Sequence, residues 1–277
     1  MSKRGQFTLF VVLGIVLLLL VGLFFVFKND ILNFAGITQG VSYPTDVQEV
    51  VDHVQECVDA SAYEAVVNIG YTGGYFTLPQ QSYVADSYAV PYYIYDGEDI
   101  GLSSDQLQSE LNDYIETLVN TCVDFEQFSD FIITTGEFSL DSQIEQDVLS
   151  VSVNYPLTVA VGETSYSIAE PYDTEVEANL GLLHSVALQI VAYDLEHPDD
   201  IDYSALLSYG VSNILVAPVD NSTYIYMLQD TTSFGGTGNM TFFFAEHYIH
   251  SESECFIDLD CEDGFSCVDD VCVEEEG

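Results

Sequence analysis

Four carboxylates, Asp258, Asp260, Glu262 and Asp269, crowd the stretch between Cys255 and Cys272. Hard oxygen ligands so spaced could take Ca2+, but a calcium-binding loop needs Gly at its sixth position for its sharp turn. Asp263 stands there, and Gly264 comes one residue late. Solvated acid is therefore the plainer reading, and Ca2+ is the one cofactor the chain offers. Glu246, His247 and His250 also carry metal-ligating groups. They do not make the H-E-x-x-H pattern, and strand residues three apart point to opposite faces, so no zinc site is expected. His53, His184 and His197 stand alone, and there is no G-x-S-x-G, no C-x-x-C and no phosphate-cradling Gly-rich loop. No catalytic residue is assigned, and an enzyme is not the expected class.

Recognition is a different matter. Seven tyrosines lie between Tyr71 and Tyr95. Tyr combines a large apolar body with a polar tip at modest entropic cost, which suits a binding surface. Tyr71, Tyr75, Tyr92, Tyr93 and Tyr95 are the candidates, against the competing role of completing a core that has no Trp. Asn221-Ser222-Thr223 and Asn239-Met240-Thr241 are N-glycosylation sequons in expected turns.

Six cysteines outside the first segment point to disulfides. Cys57 and Cys122, 65 residues apart, fall late in two expected helices and would staple them together. Cys255, Cys261, Cys267 and Cys272 have the spacing C-x5-C-x5-C-x4-C in an 18-residue stretch too short for a core of its own. Such a stretch needs two bridges or a metal. The wide spacing, without C-x2-4-C pairs, favours bridges.

The elements that would carry these groups follow from period and punctuation. Thr45, with Gln48 three residues on, opens a helix whose Val47, Val50, Val51, Val54, Val58, Ala62, Ala65, Val66 and Ile69 share a face up to Gly70. Ser103 and Gln106 open a second, with Leu107, Leu111, Ile115, Leu118, Val119 and Cys122 on one side. Thr174 and Glu177 would cap a third, running to Leu195 before Pro198, and residues 199–209 could add a short one. Between them, 71–99 reads as loops with a strand or two. Phe131–Leu140 and Val148–Val161 read as strands, the latter with Pro156 marking an edge or a bulge, and Thr164–Ala169 returns across Gly162. Ile214–Val219, Thr223–Leu228 and Thr241–Tyr248 are three further strands. This order implies an α+β fold of about three to four helices and a mainly antiparallel sheet.

Charge and hydropathy set the surroundings. Phe7–Phe27 is 21 residues without a charge, enough at ~1.5 Å per residue to span a bilayer core. Lys3, Arg4 and Lys28 are the only basic side chains apart from five histidines, and all 46 carboxylates lie beyond them. The positive-inside tendency puts the short N-terminus in the cytoplasm and the remainder outside the cell. The organisation expected is a tail and membrane anchor at 1–28, a linker at 29–44, an extracytoplasmic domain at 45–250 and an acidic Cys-rich knob at 251–277. The domain could divide into a helical part at 45–130 and a sheet-rich part at 131–250. A surface so acidic suits molar salt, where the Debye length is ~3 Å and neighbouring carboxylates largely stop seeing one another. Nucleic acid is excluded as a partner, because nothing could neutralise its phosphates.

The opening Lys3-Arg4-Gly5-Gln6 before an apolar helix resembles the class III leader of archaeal type IV pilins, and that resemblance implies cleavage between Gly5 and Gln6. It covers about the first 27 residues, and Phe10 stands where pilins usually have Glu. The same opening looks like that of small archaeal surface proteins. The tail, with Gly264-Phe265 before its third Cys, resembles small knobs that end many secreted microbial proteins. That likeness implies pairing of Cys255 with Cys267 and of Cys261 with Cys272. The resulting expectation is a single-pass surface protein of a halophile, in adhesion or envelope organisation. Its partners would be the bilayer through residues 7–27 and other surface proteins or glycans. A pilin-like filament subunit and an anchored hydrolase or ligand-binding protein are the alternatives.

Overall fold

The computed structural model describes residues 43–85, 88–197, 201–220 and 222–248, together with the backbone of 265–268 and 271–274. The apolar run at 7–27, the leader Gly5-Gln6, Asn221, His250, Cys255, Cys261 and the acidic set Asp258, Asp260, Glu262 and Asp269 lie outside the described residues. No helix among the described residues is long and apolar enough to cross a membrane. The chain divides into Met1–Gln48 and Glu49–Gly277. In the first unit the structure describes the opening turn of α1, where Gln48 donates its N–H to the carbonyl of Pro44. Pro44, not Thr45, therefore stands at the cap.

The fold is α+β. Helix α1 (Thr45–Tyr71) is fully helical to the predicted end. Its Val50, Val54, Val58, Ala62, Ala65, Val66 and Ile69 are buried. Helix α2 (Ser104–Cys122) opens on the expected capping box of Ser103 and Gln106 and buries Leu107, Leu111, Ile115 and Val119. Cys57 and Cys122 are bonded, with Cα atoms 5.6 Å apart, and Asn68 donates to the Tyr114 hydroxyl further along the same pair of helices.

The larger sheet has the order β1-β2-β12-β11-β10, with the short β3 (Glu98–Asp99) also on β2. Its strands are β1 (Ser82–Val84), β2 (Ala89–Tyr95), β10 (Asn213–Pro218), β11 (Thr223–Asp230) and β12 (Met240–His247). All pairs are antiparallel except β2 with β12. Strands from both sides of residue 130 thus share one sheet. One face packs on α3 (Leu180–Glu196), where Tyr93, Tyr226, Phe242 and Phe244 are fully buried and the Tyr226 and Phe244 rings stack at 4.8 Å. The other face carries a smaller cluster of Val90, Tyr92, Ile225 and Ala245, with Tyr83 and Phe243 against it.

Between α2 and α3 the chain makes three antiparallel passes, each broken midway. The passes are β4 (Ile132–Thr135) with β5 (Ser139–Ile144), β6 (Leu149–Asn154) with β7 (Leu157–Val161), and β8 (Thr164–Ile168) with β9 (Tyr172–Val176). They form two three-stranded antiparallel sheets, β5-β6-β9 and β4-β7-β8. The Val148–Val161 strand is therefore divided at Pro156, and it is central in both sheets rather than an edge. Pro156 has no N–H for a ladder, and its carbonyl accepts the N–H of Gly136 at 2.7 Å where the neighbouring pass also breaks.

The third helix corrects the sequence reading. It begins at Leu180 with Asn179 before it, and Tyr172–Val176 is strand β9. Thr174 and Glu177 have capping-box spacing, but pairing of Tyr172 with Val153 and Val176 with Leu149 satisfies that backbone in a ladder instead. The helix start is held from two sides. Leu182 donates to the carbonyl of Gln146 in the β5–β6 turn, and a Cβ at Gly181 would run into the Glu145 carbonyl, so the approach requires glycine. Asn179 donates its N–H to the Ser233 hydroxyl and its side-chain amide to that of Thr232, both in the β11–β12 connection. Asp230 in turn accepts the backbone N–H groups of Thr232 and Ser233 at 2.8 Å. The short α4 (Tyr203–Leu206) follows, capped by Asp202. The tail forms a hairpin, β13 (Phe265–Val268) with β14 (Val271–Glu274), in which Cys267 and Cys272 occupy opposed positions.

Candidate functional site

A depression of about 480 Å³ opens where β2 and β12 end together, in the range of ~300–1,000 Å³ usual for small-molecule sites. Tyr92, Tyr95 and His247 supply its rings. A bulge makes this possible: as β12 advances from Ala245 to Glu246, β2 advances from Tyr92 to Ile94. Tyr92 and Tyr95, which a regular strand would hold on opposite faces, are thereby brought to a ring separation of 5.2 Å. His247 stacks on Tyr95 at 5.1 Å and meets Tyr92 edge-on at 6.0 Å.

Two tight turns add carboxylates. Asp96 and Gly97, both at positive φ, connect β2 to β3, and Asp96 Oδ1 lies 3.1 Å from His247 Nδ1 without hydrogen-bond geometry. On the other side Asp220 Oδ1 accepts the N–H groups of Ser222 and Thr223 at 2.8 and 2.7 Å. The Ser222 bond leads the effects that hold the Asp220 carboxyl below the ordinary carboxylate range. Gln80, Gln81, Ser82 and Thr223 complete the lining. The Gln81 carbonyl accepts the Tyr92 N–H at 3.1 Å, which fastens this segment to β2. Burial is the main cause raising the Tyr92 phenol above its usual value.

Of the sequence candidates, Tyr92 and Tyr95 belong to this site. Tyr93 is a core residue whose hydroxyl donates to the Gly73 carbonyl at 3.1 Å. Tyr75 is half-buried beside Ile100, and Tyr71 is exposed on Phe243. Asn239 is exposed just before β12, as a glycan acceptor must be. His184 is buried against Tyr93 and Phe242, and its Nε2 meets the Leu102 carbonyl at 2.9 Å. Burial lowers its pKa, so it is neutral. Asp96 and Asp220 escaped sequence reasoning because no spacing links them to His247.

Behind the depression, on the opposite side of β12, sits a buried acid pair. Glu246 is fully buried, and Asp194 of α3 is 4% exposed. Tyr226 donates to Asp194 Oδ2 at 2.8 Å, and Tyr248 donates to Glu246 Oε2. Oε1 of Glu246 meets no N–H or O–H donor. Burial first, then the charge of Asp194, pushes the Glu246 carboxyl well above the ordinary range. Burial likewise raises Asp194, against the opposing bonds from Tyr226, Glu246 and Tyr248. Two desolvated carboxylates that feel each other's charge cannot both ionise, so the pair retains a proton. Neither group lines the depression, so the pair has no contact with a ligand there.

Among the described residues no group of three or more His, Cys, Asp or Glu side chains could hold a metal ion. An α+β domain with an aromatic, carboxylate-flanked depression is the class that fold and site define. Comparison with protein-family models, curated proteins and solved structures finds no match to this chain.

Proposed function

We propose that this chain is a single-pass membrane protein of a high-salt organism whose ectodomain works outside the cell by recognition, in adhesion or envelope organisation. The observation that carries recognition is the joining of Tyr92, Tyr95, His247 and Asp220 in one open depression, with Asp96 against His247. Anchorage rests on the apolar run at 7–27, and the saline setting on 46 carboxylates facing no Lys or Arg beyond residue 28. Cells displaying the full chain should adhere to one another or to isolated envelope fragments. The double variant Tyr95→Ala/His247→Ala should lose this adhesion at an unchanged surface level. Equal adhesion by the double variant, or recovery of the chain away from the membrane fraction, would overturn the reading.

The same charge imbalance makes stability depend on salt. With no cationic side chains to answer them, ectodomain carboxylates repel over ~10 Å at 0.1 M salt and over ~3 Å at 1 M. The fold should be lost on dialysis below a few hundred millimolar salt and regained on its return. Circular dichroism that does not change on dialysis would contradict this.

A further inference from the structure

We infer that the depression binds a neutral saccharide unit, stacked on the ring face of Tyr95 and hydrogen-bonded to Gln80, Gln81 and Asp220. This deepens the recognition reading and rests on it. Anionic ligands are opposed by Asp96 and Asp220, with no Lys or Arg in the ectodomain to answer them. A cation and a neutral polyol remain, and the lining separates them. A sugar hydroxyl both donates and accepts, and so needs both kinds of group around it. Gln80 and Gln81 are exposed and offer amide N–H donors that a cation cannot use. Asp220, exposed and fixed through Oδ1 by two backbone N–H groups, presents a carboxylate that accepts from a hydroxyl.

The rings serve the same ligand. Tyr95 lies against His247 at an interplanar angle of 26° and is still 37% exposed, so one of its faces is open to the apolar C–H side of a pyranose. Salt then decides the matter. At ~1 M the Debye length is ~3 Å and small cations compete directly for carboxylates, so charge attraction gains an ammonium ligand little. Ring stacking and hydrogen bonds to hydroxyls survive those conditions.

The test uses the full chain in detergent and molar NaCl. Methyl glycosides of glucose, galactose, mannose and N-acetylglucosamine are titrated by saturation-transfer NMR, with tetramethylammonium as the cationic comparison. At least one glycoside should bind. Tyr95→Ala should weaken it about tenfold or more, and Tyr95→Phe, which keeps the ring, should stay within about twofold. His247→Ala, which removes the ring behind Tyr95, should also weaken it. Preferential binding of tetramethylammonium, lost in Tyr95→Ala, would overturn the saccharide while leaving recognition standing. Glycoside binding indifferent to both alanine variants would place the sugar elsewhere and overturn the assignment. Binding of neither probe would overturn the saccharide assignment, while the adhesion of cells displaying the chain decides the recognition reading separately.

Discussion

In molar NaCl the stability of this protein should fall as pH rises above about 5, and Glu246→Gln should remove most of that fall. Glu246 and Asp194 both have folded-state pKa values raised above those of exposed carboxyls, chiefly by burial. At pH below the unfolded values both states are protonated, and the pair is indifferent to pH. Through the window between the unfolded and the raised folded values, the native state holds a proton that the unfolded chain has released. Stability then declines by about 1.4 kcal/mol per pH unit for each such proton. A Gln at 246 keeps the volume and removes the titrating proton. The variant should therefore match the wild type near pH 4 and exceed it progressively in the alkaline direction. The difference between the two profiles is the quantity to read. His184, neutral through burial, contributes the opposite slope below its unfolded value but does so in both proteins. Surface carboxylates are screened by the salt, whereas the buried pair is not. Parallel melting curves for wild type and Glu246→Gln across this range would show that the pair shares no proton.

Removing the helix staple should have an effect of similar size. Cys57 and Cys122 close a segment with a sequence separation of 65 residues. Loop-closure entropy gives the bridge about 4 kcal/mol, acting on the unfolded chain. For a domain above ~150 residues, 1 kcal/mol corresponds to roughly 2–4 °C, so Cys57→Ala/Cys122→Ala should lower the melting temperature by about 10 °C or more. The double variant is preferable to a reductant because it leaves Cys255, Cys261, Cys267 and Cys272 alone. An unchanged melting temperature would mean that α1 and α2 hold each other by packing alone. The residues for that packing are present, since Val54, Val58 and Ala62 of α1 and Ile115 and Val119 of α2 are all buried.

Local chemistry is legible in the residues themselves. The α+β class, the two N-terminal helices, the Ser103–Gln106 box, the return across Gly162 and the three C-terminal strands all follow from signals within a few residues of one another. The Cys57–Cys122 pair, midway along α1 and at the last residue of α2, follows from the placing of one cysteine on each of two helices. The same local signals mislead at Thr174, where a capping pattern lies in a segment that β6 claims as a ladder partner. They also mislead at Pro156, where the proline breaks a central strand between two sheets and does not mark an edge.

The sequence by itself determined the charge and most of the elements, because each depends on composition or on a period of two to four residues. The tertiary structure alone decided which chemistry-bearing groups meet. The parallel pairing of β2 with β12 joins tyrosines near residue 93 to a histidine at 247, and its bulge turns Tyr92 and Tyr95 to one side. The packing of α3 on that sheet sets Asp194 against Glu246, 52 positions away in the chain. Contacts at such separations are fixed by strand order and burial, and no residue spacing encodes either one.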